Sequence, residues 1–285
     1  MADRVTLYEM SPRDGLQNEA RPVIAADKIA LVDRLSDCGF THIEVTSFVS
    51  PKWVPQMADA AEVMAGIARR PGITYAALTP NLQGFERALA GKADEVAVFA
   101  SASESFSQRN INCSIAESLD RFRPVLESAK SKGIPVRGYV SCVTDCPYEG
   151  PIRPEAAAWV AGELHKLGCH QISLGDTIGA GTPQTIGRML DAVLAVLPAD
   201  QLAGHYHDTR GMALRNIAVS LDRGLRVFDA SVGGLGGCPF APGAKGNVAT
   251  EAVAAFLQAE GFATGLDLDL LAEAARFAQG LRGPA

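Results

Sequence analysis

His205 and His207 stand one residue apart in the run His205-Tyr206-His207-Asp208, at the end of a short strand-like stretch. Side chains alternate faces along a strand, so the two imidazoles point the same way, about 6.6–6.8 Å apart, a spacing at which two nitrogens can converge on one ion. A lone pair of this kind is also compatible with surface or internally bonded histidines. A carboxylate is available in Ser11-Pro12-Arg13-Asp14-Gly15-Leu16-Gln17-Asn18-Glu19, although the same letters make an ordinary surface turn. Two imidazoles, Asp14 and open positions suit a divalent cation such as Mg, Mn, Co or Zn, and a carbonyl oxygen from Asn247 tilts the choice towards Mg or Mn. Residues 233–247 hold many glycines around Cys238, so they read as a loop. It serves either as a phosphate cradle ahead of a helix that begins near Asn247, or as a lid that carries a thiol to substrate. With Arg13 to offset negative charge on an enolate oxygen and Cys238 to move a proton, this equipment fits making or breaking a C–C bond next to a carbonyl. It needs no organic cofactor.

Such residues must be brought together by the elements that carry them. Strand-like runs recur at 5–10, 42–46, 74–78, 95–100, 136–142, 171–174, 202–207 and 227–232. Amphipathic helical segments lie between them, as at 25–38 and 183–197. Helix-end signals reinforce the pattern: Ser114 before Glu117 reads as a capping box and Thr182-Pro183 as an N-cap followed by proline. Gly39, Gly133, Gly168 and Gly224 fall just past helix ends. Eight units in 285 residues give about 36 residues each, the length of a right-handed βαβ crossover. The pattern predicts one (β/α)8 TIM barrel over residues 1–285, with an open doubly wound sheet as the alternative. An extra C-terminal helix at 267–283 would pack on a barrel end or a neighbouring subunit. In such a barrel, strands one and seven put Asp14 and the histidines at the same mouth.

Composition narrows the partners. The chain is 47% apolar and 20% charged, enough to bury a full core. Its net charge of −6 has the wrong sign for a phosphate-backbone binder, so no nucleic acid is expected. No apolar stretch approaches the ~20 residues of a membrane span, and the first residues lack a secretory h-region. The expected setting is soluble and cytoplasmic. Six scattered cysteines lack a zinc-site spacing, and Cys38, Cys142 and Cys169 read as small buried hydrophobes. His42, His165 and His170 read as structural or solvent-facing, and Trp53 and Trp159 as packing residues.

The stretch from Glu9-Met10 through Glu19, the run His205-Tyr206-His207-Asp208-Thr209, and residues 233–247 with Ala249-Thr250-Glu251 closely resemble 3-hydroxy-3-methylglutaryl-CoA lyases. The likeness extends to residues 44–52, 110–114, 138–142, 146–150 and 174–177, and so spans nearly the whole chain. It implies a barrel lyase that uses Mg or Mn to split a 3-hydroxy-3-methylglutaryl thioester into acetyl-CoA and acetoacetate, as in leucine degradation and ketone body formation. By position it implies Asp14, His205, His207 and Asn247 as metal ligands, Arg13 as the enolate-stabilising arginine and Cys238 as the lid acid/base. Glu44 and Asp176 match acidic residues that orient the metal-bound shell and assist proton transfer; Gln17 and Tyr139 match polar residues facing substrate. The expected partner is an acyl-CoA and the expected assembly a homodimer. Ala20, Phe240, Pro242 and Lys245 depart from the family pattern and bear on lid stiffness and CoA contacts. A lyase for a related 3-hydroxyacyl-CoA is one alternative. A Claisen-condensing acyl-CoA/2-oxo acid synthase is another, less favoured because no accessory region of the usual size fits after Glu251. An aldolase acting on a free 2-oxo acid would have no use for the cysteine lid, and an idle metal- and CoA-binding barrel would not need Arg13, Asp14 and Cys238 together.

Overall fold

The computed structural model describes residues 3–19, 21–236 and 246–282. Eight strands form a closed parallel ring, each neighbour in sequence also a neighbour in space. They are β1 (Thr6–Glu9), β2 (His42–Ser47), β3 (Thr74–Leu78), β4 (Glu95–Ser101), β5 (Val136–Ser141), β6 (Gln171–Asp176), β7 (Leu202–Tyr206) and β8 (Val227–Ala230). Closure is made by β1 against β8, in register from Thr6 opposite Val227 to Glu9 opposite Ala230. The expected (β/α)8 barrel is therefore what the chain forms, and the open sheet is excluded.

Helices return the chain outside the ring: α1 (Ala25–Asp37), α2 (Ala60–Gly66), α3 (Leu82–Ala90), α4 (Glu104–Ile111), α5 (Ile115–Lys132), α6 (Pro154–Leu167), α7 (Pro183–Leu194), α8 (Ala213–Asp222), α9 (Thr250–Ala259) and α10 (Leu268–Leu281). Both expected caps form: Ser114 and Glu117 exchange hydrogen bonds at the start of α5, and Thr182 and Thr185 do so at α7. The four glycines read as helix stops all have positive φ. The helix expected near Asn247 starts instead at Thr250. Among the described residues no helix is long and apolar enough to cross a membrane.

Apolar side chains fill the layer between strands and helices, for example Val5, Ile43, Val96, Val140, Ile172 and Phe228 against Leu31, Val125, Val160, Leu190 and Ile217. The ring's interior is different. Tyr8, Met10, Ala76, Leu78, Ala97 and Tyr139 form a separate apolar cluster there, interleaved with the buried polar side chains of Glu44, Glu95, Arg137, Ser173 and Asp229. Trp53 and Trp159 do not pack as expected, being 77% and 49% exposed; exposure of an aromatic cannot be read from its neighbours in sequence.

Helix α10 packs on its own barrel, against α1 and the turn after β8. Arg282, just past its end, donates to Gly234 O at 2.6 Å and to Glu19 Oε1 at 3.2 Å, so it joins the loops that follow β8 and β1. Glu9 joins them again from inside. Its carboxylate accepts from Ser11 N at 2.9 Å, Val232 N at 3.0 Å and Thr250 Oγ1 at 2.7 Å.

Burial pushes the Glu9 carboxyl up from 4.5 to about 7, against the pull of these donors. The folded state thus holds the proton more tightly than the unfolded one. The associated stability is complete below pH 4.5 and is lost as pH rises through about 7, amounting to about 3 kcal/mol at ~1.4 kcal/mol per unit. Glu9→Gln keeps one acceptor oxygen and removes the charge. Denaturant unfolding at pH 4.5 and pH 8 should show the variant gaining on the parent by roughly that amount at the higher pH; a constant difference across the range would contradict it.

Candidate active site and metal centre

The chain leaves β1 in a wide helical turn, Ser11–Gly15, rather than the tight surface turn its letters allow. Met10 O accepts from both Arg13 N, at 3.2 Å, and Gly15 N, at 3.1 Å, the second bond spanning five residues. This turns Arg13 and Asp14 inward. Arg13 is 6% exposed, with Nε 2.5 Å from Glu44 Oε2 on β2 and Nη1 2.5 Å from Asp14 Oδ1. Its Nη2 has no partner among the described residues.

Across the mouth, His205 lies near the end of β7 and His207 just beyond it. Their Nε2 atoms are 3.4 Å apart, and His205 Nε2 is 3.8 Å from Asp14 Oδ2. Ligand atoms of Asp14, His205 and His207 all lie within 4.8 Å of one another, the only such donor group among the described residues. The convergence predicted from strand alternation is present.

Electrostatics prepare Asp14 and His207 as ligands and hold a proton on His205. Burial raises the Asp14 pKa, but Arg13, His205 and His207 outweigh it and hold the carboxyl well below its usual range. Burial, reinforced by the neighbouring His205, pushes His207 down to about 4, so its imidazole is neutral at pH 7. Burial also lowers His205, but the hydrogen bond and charge of Asp229, followed by Asp14, more than reverse this and its pKa is raised. His205 Nδ1 lies 3.1 Å from Asp229 Oδ2, which places a proton on Nδ1 and turns Nε2 towards His207 and Asp14; its lone pair there becomes free when the imidazolium gives up its second proton, as to an entering cation. A carboxylate oxygen and two imidazole nitrogens, with their lone pairs turned to a common point, fit a divalent ion with positions left open.

Asn247 also reaches this point. Its backbone N donates to Gly236 O at 3.2 Å, and it bridges His207 in an antiparallel pair. Its Nδ2 donates to Asp14 Oδ2 at 2.7 Å and to Leu235 O at 3.2 Å. The amide thus presents nitrogen, not the carbonyl oxygen expected of a ligand; turning it over exchanges the two. Gly236 makes room for it, since a Cβ there would sit 2.7 Å from Asn247 Nδ2, and its φ of 93° disfavours a side chain.

The remaining predicted residues are placed as follows. Glu44 is fully buried, binds Arg13, and accepts from Tyr139 Oη at 3.2 Å. Burial raises its pKa despite Arg13. Tyr139 is 8% exposed, with its hydroxyl turned to Glu44 and Arg137 and the Arg13 guanidinium 5.6 Å from its ring centre. Asp176 is not joined to Asp14 or the histidines by any hydrogen bond. Its oxygens accept from Ala180 N at 3.1 Å and Gly181 N at 2.9 Å, and burial pushes it up to about 6. Gln17 is half-buried, and its side chain makes no hydrogen bond among the described residues. Cys238 lies outside the described residues, as do Ala20, Phe240, Pro242 and Lys245. Cys38, Cys142 and Cys169 are free and buried. His170 is half-exposed and pairs with Glu95 at 2.8 Å. Sequence reasoning passed over Asp229 and Arg137; the available signal was a charge inside each of two otherwise apolar strands.

A closed (β/α)8 barrel with a buried arginine, an ionised carboxylate and two imidazoles at its C-terminal mouth defines a barrel enzyme with a candidate metal centre. The HMGL-like family model matches residues 4–278. The 3-hydroxy-3-isohexenylglutaryl-CoA/hydroxy-methylglutaryl-CoA lyase of Pseudomonas aeruginosa is 59% identical over 95% of this chain and 90% of its own length. The hydroxymethylglutaryl-CoA lyase of Pseudomonas mevalonii is 52% identical over 94% of this chain and 89% of its own. The crystal structure of the HMG-CoA lyase from Brucella melitensis superposes with a TM-score of 0.98 at 64% identity, covering 99% of each chain. The chain belongs to the HMGL-like family.

Removing a donor should remove the ion. His207→Ala is expected to weaken Mn2+ binding by at least ~100-fold, above the ~10–100-fold typical of groups that only orient a ligand. Calorimetric titration checks this, and undiminished binding would take His207 out of the centre.

Proposed function

We propose that this chain is a carbon–carbon lyase that cleaves 3-hydroxy-3-methylglutaryl-CoA to acetyl-CoA and acetoacetate. The observation that carries the reading is the convergence of Asp14, His205 and His207 beside the buried Arg13. These three side chains, with Asn247 after its amide turns, would hold Mg or Mn. When bound, the ion supplies Lewis acidity, lowering the pKa of a coordinated hydroxyl and polarising a carbonyl.

Each residue then has a task set by its surroundings. Asp14, kept ionised by Arg13 and the histidines, accepts the hydrogen bond of the substrate's tertiary hydroxyl; being a weak base, it would draw that proton only where the bound ion has acidified the hydroxyl, as the C–C bond breaks. Arg13 is fixed through Nε and Nη1, so Nη2 remains to meet the oxygen of the departing thioester enolate. A preorganised cation in a buried site is worth about 3–4 kcal/mol to such an oxyanion, to judge from the removal of single oxyanion donors. Glu44 holds Arg13 in place, and Tyr139 holds Glu44. Asp176 fixes the loop that follows β6, and Gln17 lies just past the turn that carries Arg13 and Asp14. Cys238 is the proposed acid that returns a proton to the enolate carbon, since a thiol near its ordinary pKa of ~8.5 is protonated at neutral pH.

A lyase for a related, longer 3-hydroxyacyl-CoA is a second reading, favoured by the two acyl groups that the Pseudomonas aeruginosa relative's name carries. We place the enzyme in the cytoplasm as a homodimer, acting in leucine degradation and ketone body formation, on the strength of the family resemblance.

Acetyl-CoA release from 3-hydroxy-3-methylglutaryl-CoA should stop on chelation with EDTA and return when Mg2+ or Mn2+ is restored; release that persists without metal would refute the reading. Cys238→Ser should lower turnover by ~100-fold or more, the scale of general acid–base catalysis, while leaving Mn2+ affinity near that of the parent.

A further inference from the structure

Arg137 is the second residue of β5 and has no solvent exposure, and four hydrogen bonds leave its guanidinium. Nη2 donates to Asp229 Oδ1 at 2.7 Å, Nη1 to Asp229 Oδ2 at 3.1 Å and to Tyr139 Oη at 3.1 Å, and Nε to Gln171 Oε1 at 2.9 Å. The Tyr8 ring lies against the guanidinium, 4.2 Å from its carbon. Two branches leave this hub. In one, Asp229 Oδ2 also accepts Ser173 Oγ at 2.7 Å and His205 Nδ1 at 3.1 Å, so the carboxylate that sets the His205 ring is itself held by Arg137 and Ser173. In the other, Tyr139 Oη takes its hydrogen bond from Arg137 and is left to donate to Glu44 Oε1, whose other oxygen holds Arg13, which in turn holds Asp14.

An unbroken side-chain route therefore runs from His205 to Asp14 across the barrel interior, with Arg137 at its centre. We infer that Arg137 is a positioning residue for the reaction: through Asp229 it fixes the imidazole of one proposed metal ligand, His205, and through Tyr139 and Glu44 it fixes the arginine beside a second, Asp14. Only a planar fork of donors can do both. A lysine has one nitrogen and cannot span both Asp229 oxygens while also reaching Tyr139 and Gln171. The inference rests on the proposed metal centre and assigns a role to Arg137, which is not among its donor residues.

The test titrates full-length Arg137→Lys, Asp229→Asn, Ser173→Ala and Tyr139→Phe with Mn2+, by calorimetry and by the electron paramagnetic resonance of bound Mn2+, alongside thermal melts and acetyl-CoA release. Arg137→Lys and Asp229→Asn are expected to weaken Mn2+ binding ~10–100-fold, the range for groups that orient a metal ligand. Ser173→Ala, which keeps the ion pair, should do so more weakly. Tyr139→Phe cuts only the Glu44 branch, so it should leave Mn2+ affinity within about threefold, the bottom of that range being tenfold, and lower kcat instead. If Arg137→Lys does not fold, Ser173→Ala carries the test. Early melting with parental Mn2+ affinity in the folded variants would overturn the inference, reducing Arg137 to a packing role. A parent that takes up no Mn2+ would overturn the metal centre itself, a failure visible before any variant is made.

Discussion

A guanidinium removed from water must be given acceptors, and in this barrel two of them are buried. Arg137 is fully enclosed with Asp229, and Arg13 nearly so between Glu44 and Asp14. Breaking such a pair by removing one partner leaves an uncompensated charge and costs about 3–5 kcal/mol, a large share of the ~5–15 kcal/mol that stabilises a typical domain. The carboxylates therefore have little freedom. Where they sit, and consequently where His205 points and how Asp14 is turned, follows from satisfying those two cations.

The same requirement explains why the barrel's interior is not purely apolar. A wholly hydrophobic filling would close the ring as well, but it would leave His205 free to rotate. The network gives up part of that hydrophobic stabilisation for a single arrangement of the ligands. Glu9 and Arg282 extend this control outward. One from inside and one from the rim, they bind the loop after β1 to the loop after β8.

Much of this was legible in the letters. Alternation along 202–207 put both imidazoles on one face, and the count of strand and helix signals placed Asp14 at the same mouth. What escaped was whatever depends on pairing across the ring. Arg137 and Asp229 are 92 residues apart and lie on strands that are not neighbours, so no local pattern links them. The turn at 11–15 was hidden because Pro-Arg-Asp-Gly suits a tight turn as well as a wide one, and what distinguishes them is the hydrogen bond from Gly15 N back to Met10 O, which the letters do not show. Asp176 was read towards the metal shell; that its carboxylate also accepts from two backbone N–H groups of the loop after β6 depends on how that loop folds back, which spacing does not show. Whether Trp53 is inside or outside depends on what lies over it, which sequence does not record.

The first strand closes the ring against the last, and the centre draws Asp14 from one side of that seam and Asn247 from the other. A nascent polypeptide accordingly cannot bring Asp14 beside the two histidines in a closed ring until β8, the last strand, has been synthesised and has paired with the first. Assembly of the candidate centre thus becomes a late event in the life of each molecule, tied to the same pairing that completes the barrel.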